Sequence, residues 1–454
     1  MVKVAVVTLG CDKNTVDSER YLGALVEHGA VPVAEPDEAD IVIVNTCGFI
    51  DAAKRESIDA MVGAARLKDT AGVQAVVAVG CMVQRHEAEL REALPDVDLF
   101  LGAADGDQLI PRLRERGLLD GPEALHPGVR VYAGDTPHVR YLKLSEGCDH
   151  GCAFCAIPLM RGRHRSFALD DVVREAQLLE LQGAREVNLV AQDLAHYGRD
   201  RRDGVGLPEA LEALTRETAI PWIRMMYLYS AGITPRLLEV VAREPRIVRY
   251  LDMPIQHASD AVLQRMRRPE RRQTIREKVA RYRDAIPGVA IRTTCIVGFP
   301  GETDDDFRIL AEFLEEMQFE RVGIFAYSPQ EGTRAAQLPD DVPESIKRER
   351  LEQLGEIQRG ITASRYATRV GARAEALVER GATARLPWQA DDIDGITTLD
   401  GPAEPGAILD VEVTGVEEYD FTARVLGVRS RAPGPAPDAR RRALPVVSMG
   451  AFGR

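Results

Sequence analysis

Short apolar runs alternate with amphipathic stretches along most of the chain. Val2–Leu9 is apolar and rich in β-branched residues, the pattern of a buried strand. Val16–His28 follows at helical period, with Thr15 as the polar residue placed to cap it. Ile41–Asn45 reads as a second strand, Ile50–Leu67 as a second helix and Gln74–Val79 as a third strand. That rhythm belongs to an open parallel sheet. A stretch rich in Gly and Pro, taken as 122–137, is the expected linker. The rhythm then resumes, with strands expected at Tyr141–Glu146, Glu186–Gln192, Ile223–Tyr229, Tyr250–Ile255, Ala290–Val297 and Arg321–Tyr327. Amphipathic helices lie between them, one over Asp170–Leu181 with Gly183 as its C-terminal cap. Six such units over 138–363 predict a partial, open (β/α)6 barrel, because eight would need more chain. From 364 to 431 the helical period fades. Ala374–Val378, Ile396–Leu399, Ile408–Thr414 and Thr422–Val425 are short β-type runs of a small barrel. Residues 432–454, with Pro433, Pro435 and Pro437 and the triplet Arg440–Arg442, read as a disordered tail. The expected fold class is thus α/β in three domains: 1–121, 138–363 and 364–431.

Charge narrows the possible partners. The net charge of −13 excludes a general phosphate binder, although a local basic face can coexist with it. The apolar start is too short for a signal peptide, and no run approaches a membrane span. A cytoplasmic protein without membrane attachment is expected. In that compartment the seven cysteines do not suggest a disulfide framework; clustered ones suggest metal or redox chemistry.

Cys148, Cys152 and Cys155 form a Cys-x3-Cys-x2-Cys loop just after the first barrel strand, at the end where such barrels carry their sites. Three thiolates on one loop can ligate three irons of a four-iron cubane and leave the fourth open. Gly147 and Gly151 let the loop turn tightly. The alternative is a structural zinc site completed by His150, but no second Cys pair is present. Cys11, Cys47 and Cys81 each follow a strand of the N-terminal sheet, so they can converge beyond its carboxyl edge. The alternative is three buried small apolar residues. Cys295 lies inside an apolar strand and reads as core.

These motifs resemble the methylthiotransferases of the radical S-adenosylmethionine superfamily, over residues 1 to 430. The resemblance implies a flavodoxin-like N-terminal domain, a radical SAM barrel and a C-terminal TRAM barrel. It implies two 4Fe-4S clusters, one on Cys148, Cys152 and Cys155 and an auxiliary one on Cys11, Cys47 and Cys81. It further implies S-adenosyl-L-methionine, with contacts from Gln192 and Asp193 at the second strand end, Gln256 beside His257 at the fourth, and Gly298 and Glu302 after the fifth. Each could instead be ordinary loop chemistry. No catalytic side chain beyond the cluster ligands is expected. The basic run Arg161–Arg165 either steers an acidic group or is a solvated charge run.

The family divides by substrate. Leu9–Ser18, Asn45–Ser57, Cys155–Pro158 and Phe325–Thr333 look like the branch that modifies an aspartate of ribosomal protein S-twelve of the small subunit. The alternative is the branch acting on adenosine in transfer RNA. Residues 365–430 hold seven Arg, no Lys and twelve Asp plus Glu, a net charge of −5. Such a barrel suits a basic protein better than RNA, unless it is a solvated face with no partner. Asp391, Asp392, Asp394, Glu417, Glu418 and Asp420 form its acidic clusters. The resemblance also implies an electron donor such as a flavodoxin, and leaves RNA contact possible through the ribosome. A rival of another class is a non-catalytic iron–sulfur or RNA-binding module.

Overall fold

The computed structural model describes residues 1–120, 130–132 and 136–432. Of the expected linker, 122–129 and 133–135 lie outside the described residues, as does 433–454 of the expected tail.

The N-terminal domain is a parallel five-stranded sheet ordered Val31–Pro32, Lys3–Thr8, Ile41–Thr46, Ala75–Gly80, Leu99–Gly102. The two edge strands were not expected: with two and four residues they carry too little pattern to read. The central strands Ile41–Thr46 and Ala75–Gly80 are buried throughout because helices cover both faces. Ala5, Val7, Val42, Val44, Val76 and Ala78 pack under the helix Asp51–Thr70. The alternate residues Val4, Val6, Ile41, Ile43, Val77 and Val79 pack under Asp12–Glu27 and Leu109–Glu115. The first helix begins at Asp12, so the expected cap Thr15 lies inside it. Cys11 is the true N-cap, its carbonyl accepting from Asn14 and Thr15 amides at 2.7 and 3.2 Å.

The central domain has six parallel strands, Val139–Lys143, Glu186–Val190, Trp222–Met225, Tyr250–Asp252, Ala290–Val297 and Arg321–Ala326. They form two three-stranded sheets. A parallel bridge from Ile223 to Ile247 and a 2.8 Å hydrogen bond from Leu228 N to Asp252 O join these into one curved wall. Among the described residues no pairing links the first strand to the last, so the barrel is open. Several strands stop earlier than the apolar pattern suggests. Tyr227, two residues past the end of its strand, adopts left-handed backbone at φ 60°, and Gln256, φ 71°, lies beyond its strand in an isolated parallel bridge to Cys295.

The helix Glu344–Ala367 packs on Arg321–Ala326 and leads into a closed five-stranded barrel. Its strands are Arg373–Arg380, Thr383–Arg385, Thr397–Leu399, Ile408–Glu417 and Asp420–Ser430. Thr383–Arg385 was not expected, and the last strand is longer than its apolar stretch.

Buried ion pairs lock the domains together. Glu19 of the first helix meets Arg130 and Arg140 at the central domain. Fully buried Glu186 binds Arg224 at 2.7 Å and Arg385 of the small barrel at 2.5 Å. This corrects the role expected for one acidic cluster. Asp394 is buried and bonded to Tyr250 and Arg321, and Asp391 to Tyr141, so both face the central domain rather than a partner. Glu417 and Glu418 remain exposed. No helix among the described residues is long and apolar enough to cross a membrane.

Candidate functional site

Three neighbouring strands of the N-terminal sheet end on cysteines. Cys11 caps the first helix, Cys47 follows Ile41–Thr46, and Cys81 opens the helix Cys81–Ala93 directly after Gly80. The loops are packed tightly. A Cβ on Gly10 (φ 94°) would lie 2.8 Å from Cys47 Cβ and 2.9 Å from its Sγ, so glycine is required. Buried Asn14 donates to Leu9 O at 2.7 Å and Thr46 O at 3.2 Å, tying the first two loops. Ser57 holds the Cys47 backbone at both N and O, at 2.9 and 2.8 Å.

The other triplet sits on the loop after the first barrel strand. Cys148 N donates to Gly162 O at 3.1 Å, and Ala153 N to Met266 O at 2.9 Å. A Cβ on Gly147 (φ 74°) would fall 2.1 Å from Arg163 O, so the loop crosses that segment with no space for a side chain.

All six cysteines line one cavity of about 390 Å³ between the two domains. Gln192, Gln256, His150, Tyr227, Tyr229 and Arg268 are also in its wall. The thiols are unpaired by disulfides. Burial pushes Cys81 and Cys148 up to about 11 and Cys155 to about 12, so metal ligation requires these thiols to release protons. Among the described residues, the side chains close enough for one mononuclear ion are His150, Asp193 and His196, within 4.8 Å of one another. No cysteine is in that group, which argues against a zinc site built on the loop. Two wider groups of three soft thiols suit iron–sulfur clusters.

Charged groups brace the cavity. Arg161 donates to Cys81 Sγ at 3.1 Å, to Asp17 at 2.6 Å and to Asn14, joining the two domains beside the N-terminal triplet. Burial alone would raise Asp17; Lys143 and Arg161 overcome it and hold the carboxyl at about 2. Arg161 is therefore an internal brace, neither a steering group nor a solvated charge. Arg268 lies 4.0 Å from the Tyr229 ring and 3.9 Å from Cys152 Sγ. Lys13 sits 3.0 Å from the Tyr227 ring centroid, and burial lowers its pKa.

The expected cofactor contacts divide. Gln192 and Gln256 line the cavity, and Gln192 Oε1 is buried without a partner, a free acceptor at its wall. Asp193 stands behind the lining. It binds His150 Nε2 at 2.7 Å and accepts from Tyr229 N at 3.1 Å, so it orients both. Gly298 and Glu302 do not line the cavity. Glu302 is bound to Arg350 at 2.9 Å and accepts from Phe299 N, which makes it a support for its loop. His257 is buried 3.6 Å from that carboxylate. Cys295 is fully buried in its strand. Sequence reading missed Lys13, Tyr227, Tyr229 and Arg268. The tyrosines follow a barrel strand, so its carboxyl-end position could have flagged them; Arg268 carries no such signal.

Three family models match the chain: Uncharacterized protein family UPF0004 over residues 3–102, Radical SAM superfamily over 142–314 and TRAM domain over 370–426. Among curated relatives, "Ribosomal protein uS12 methylthiotransferase RimO" of an Anaeromyxobacter species is 44% identical, covering 97% of this chain and 98% of its own. Proteins of the same name from Myxococcus xanthus and Geobacter sulfurreducens are 42% and 40% identical, covering 97% and 93% of this chain and 96% and 98% of theirs. Among solved structures, the radical S-adenosylmethionine methyltransferase TsrM of Kitasatospora setae superposes with a TM-score of 0.52 at 13% identity, over 71% of this chain and 73% of that one. The cobalamin-dependent S-adenosylmethionine radical enzyme OxsB does so at 0.51 and 12%, over 78% and 56%. Both show likeness of fold.

Proposed function

The chain belongs to the ribosomal protein uS12 methylthiotransferase family of the radical SAM superfamily, and from that premise we propose that it adds a methylthio group to the β-carbon of an aspartate in uS12. The observation that carries this reading is the single cavity walled by two cysteine triplets from two domains. Cys148, Cys152 and Cys155 would hold one 4Fe-4S cluster; Cys11, Cys47 and Cys81 would hold a second. With S-adenosyl-L-methionine bound, such clusters supply radical hydrogen abstraction from an unactivated carbon, and sulfur and methyl transfer to it.

The chain's own residues position these groups. Gln192 offers its unpartnered Oε1 to the cofactor's ammonium, and Gln256 offers a second amide from the fourth strand end. Asp193 fixes His150 stacked on Tyr229, with ring centroids 4.0 Å apart, as a flat wall beside the cluster loop. Gly10, Asn14 and Ser57 hold the auxiliary loops in place. Glu417 and Glu418 give the small barrel an exposed acidic edge for a basic ribosomal protein. A cytoplasmic electron carrier such as a flavodoxin supplies the reducing electron, and RNA is met only as part of the ribosomal setting.

Reconstituted enzyme should carry about eight irons per chain, and the Cys148, Cys152, Cys155→Ala triple variant about four. With reductant and cofactor it should raise the mass of uS12 by one methylthio group and leave transfer RNA unmodified. Methylthio-adenosine in the transfer RNA would give the substrate to the other branch.

A further inference from the structure

Three cations line the cavity, and this chain supplies anions to two of them. Arg161 is bonded to Asp17 and Glu146, and Arg268 faces Glu270 at 3.4 Å. Lys13 differs. It is 7% exposed, and among the described residues no carboxylate lies within ion-pair distance of its ammonium. The acid acting on it most strongly, Cys11, is one of the thiols given to the auxiliary cluster, and the next two are already taken. Asp12 accepts from the Tyr227 hydroxyl at 2.9 Å, and Asp252 pairs with Arg292 at 2.9 Å. What supports the ammonium is the face of Tyr227, whose left-handed backbone is pinned by a 3.1 Å bond from its amide to Asp252. A ring face attracts a cation without neutralising it. A buried charge left this way is costly unless a ligand brings the opposite charge.

We propose that Lys13 binds the side-chain carboxylate of the aspartate that is modified. The inference rests on the substrate reading above and deepens it. A carboxylate carbon is one bond from the β-carbon, so an ion pair at the carboxylate places the carbon that reacts. It also selects aspartate against asparagine, whose amide brings no charge. The cofactor carries a carboxylate too and is the other source of the same chemistry. Lys13 stands two residues from Cys11 in the N-terminal domain, whereas Gln192 and Arg268 surround the barrel triplet. That placement favours the substrate's carboxylate.

The test uses cluster-loaded enzyme with S-adenosyl-L-methionine and no reductant, so that binding is read without turnover. Its ligands are purified uS12 and the form with asparagine at the modified position. The native enzyme should prefer the aspartate form on the order of tenfold to a hundredfold. Lys13→Met should bring that ratio close to one, and Lys13→Arg should keep a clear preference. Equal affinity of the native enzyme for the two forms overturns the inference without any variant. So does an undiminished ratio in Lys13→Met. A change confined to cofactor affinity overturns it as well and assigns the ammonium to the cofactor's carboxylate. Failure of the substrate reading is seen separately, as unchanged product mass after reduction, and it withdraws the inference with it.

Discussion

At the scale of single residues, the cysteines were the most legible part of the site. Their strand-end positions could be read from the apolar runs before them, and the structure brings all six to one cavity. The residues around them were not legible, because their roles depend on pairings far apart in sequence. Arg161 reads as one member of a charged run but ends on Asp17, Asn14 and Cys81 Sγ. Tyr227 reads as the continuation of a strand but turns left-handed to lie under Lys13. Cys152→Ala should abolish reductive cleavage of S-adenosyl-L-methionine, measured as 5′-deoxyadenosine, and rates near native would contradict the ligand assignment. Gly10→Ala should be almost as damaging at the other triplet, since its Cβ would press on Cys47. Iron should fall from about eight to about four per chain while cofactor cleavage persists. Iron retained in full would contradict the requirement for glycine.

At the scale of elements, regular units with enough length were legible and short ones were not. The central strands of the first sheet carry apolar runs, and the six barrel strands lie in longer stretches rich in apolar residues with polar ones interspersed, whereas Val31–Pro32 and Thr383–Arg385 sit in no such stretch. The acidic run in the small barrel was legible as charge but not in direction: Asp391 and Asp394 turn inward, leaving Glu417 and Glu418 outside. Glu186 is the central tie between barrel and core. Burial alone would raise its carboxyl, but Arg385 and Arg224 hold it at about 2, below its ordinary 4.5. Arg385→Met leaves that carboxylate with one buried partner fewer and should destabilise the chain by about 3–5 kcal/mol, measured by denaturant unfolding. A loss below about 1 kcal/mol would contradict it. A carboxyl depressed in the folded state gives stability that is complete above its unfolded pKa and lost as pH falls through the folded one. Asp17 (3.8 to about 2) and Glu186 (4.5 to about 2) thus make both domain interfaces acid-sensitive between pH 4.5 and about 2. Loss of domain contacts should fall in that window by scattering, and interfaces intact at pH 2 would contradict the assignment.

At the scale of the whole molecule, the three domains act together. The first and second wall the cavity from opposite sides, and the third docks on the second through Glu186 and Asp394 while offering an acidic edge. If that edge receives a basic protein, affinity for uS12 should fall as salt rises. Reversing both charges, Glu417→Lys with Glu418→Lys, should weaken binding several-fold at low salt without changing iron content. Salt-independent binding would remove the edge from the account. The most direct measurement of the central claim is the mass of uS12 from cells that lack this gene and carry either the native copy or the Cys152→Ala copy. The native copy should restore an increment of about 46 Da, one methylthio group in place of one hydrogen on an aspartate, and the variant should not. A uS12 mass that is the same with both copies would contradict the claim.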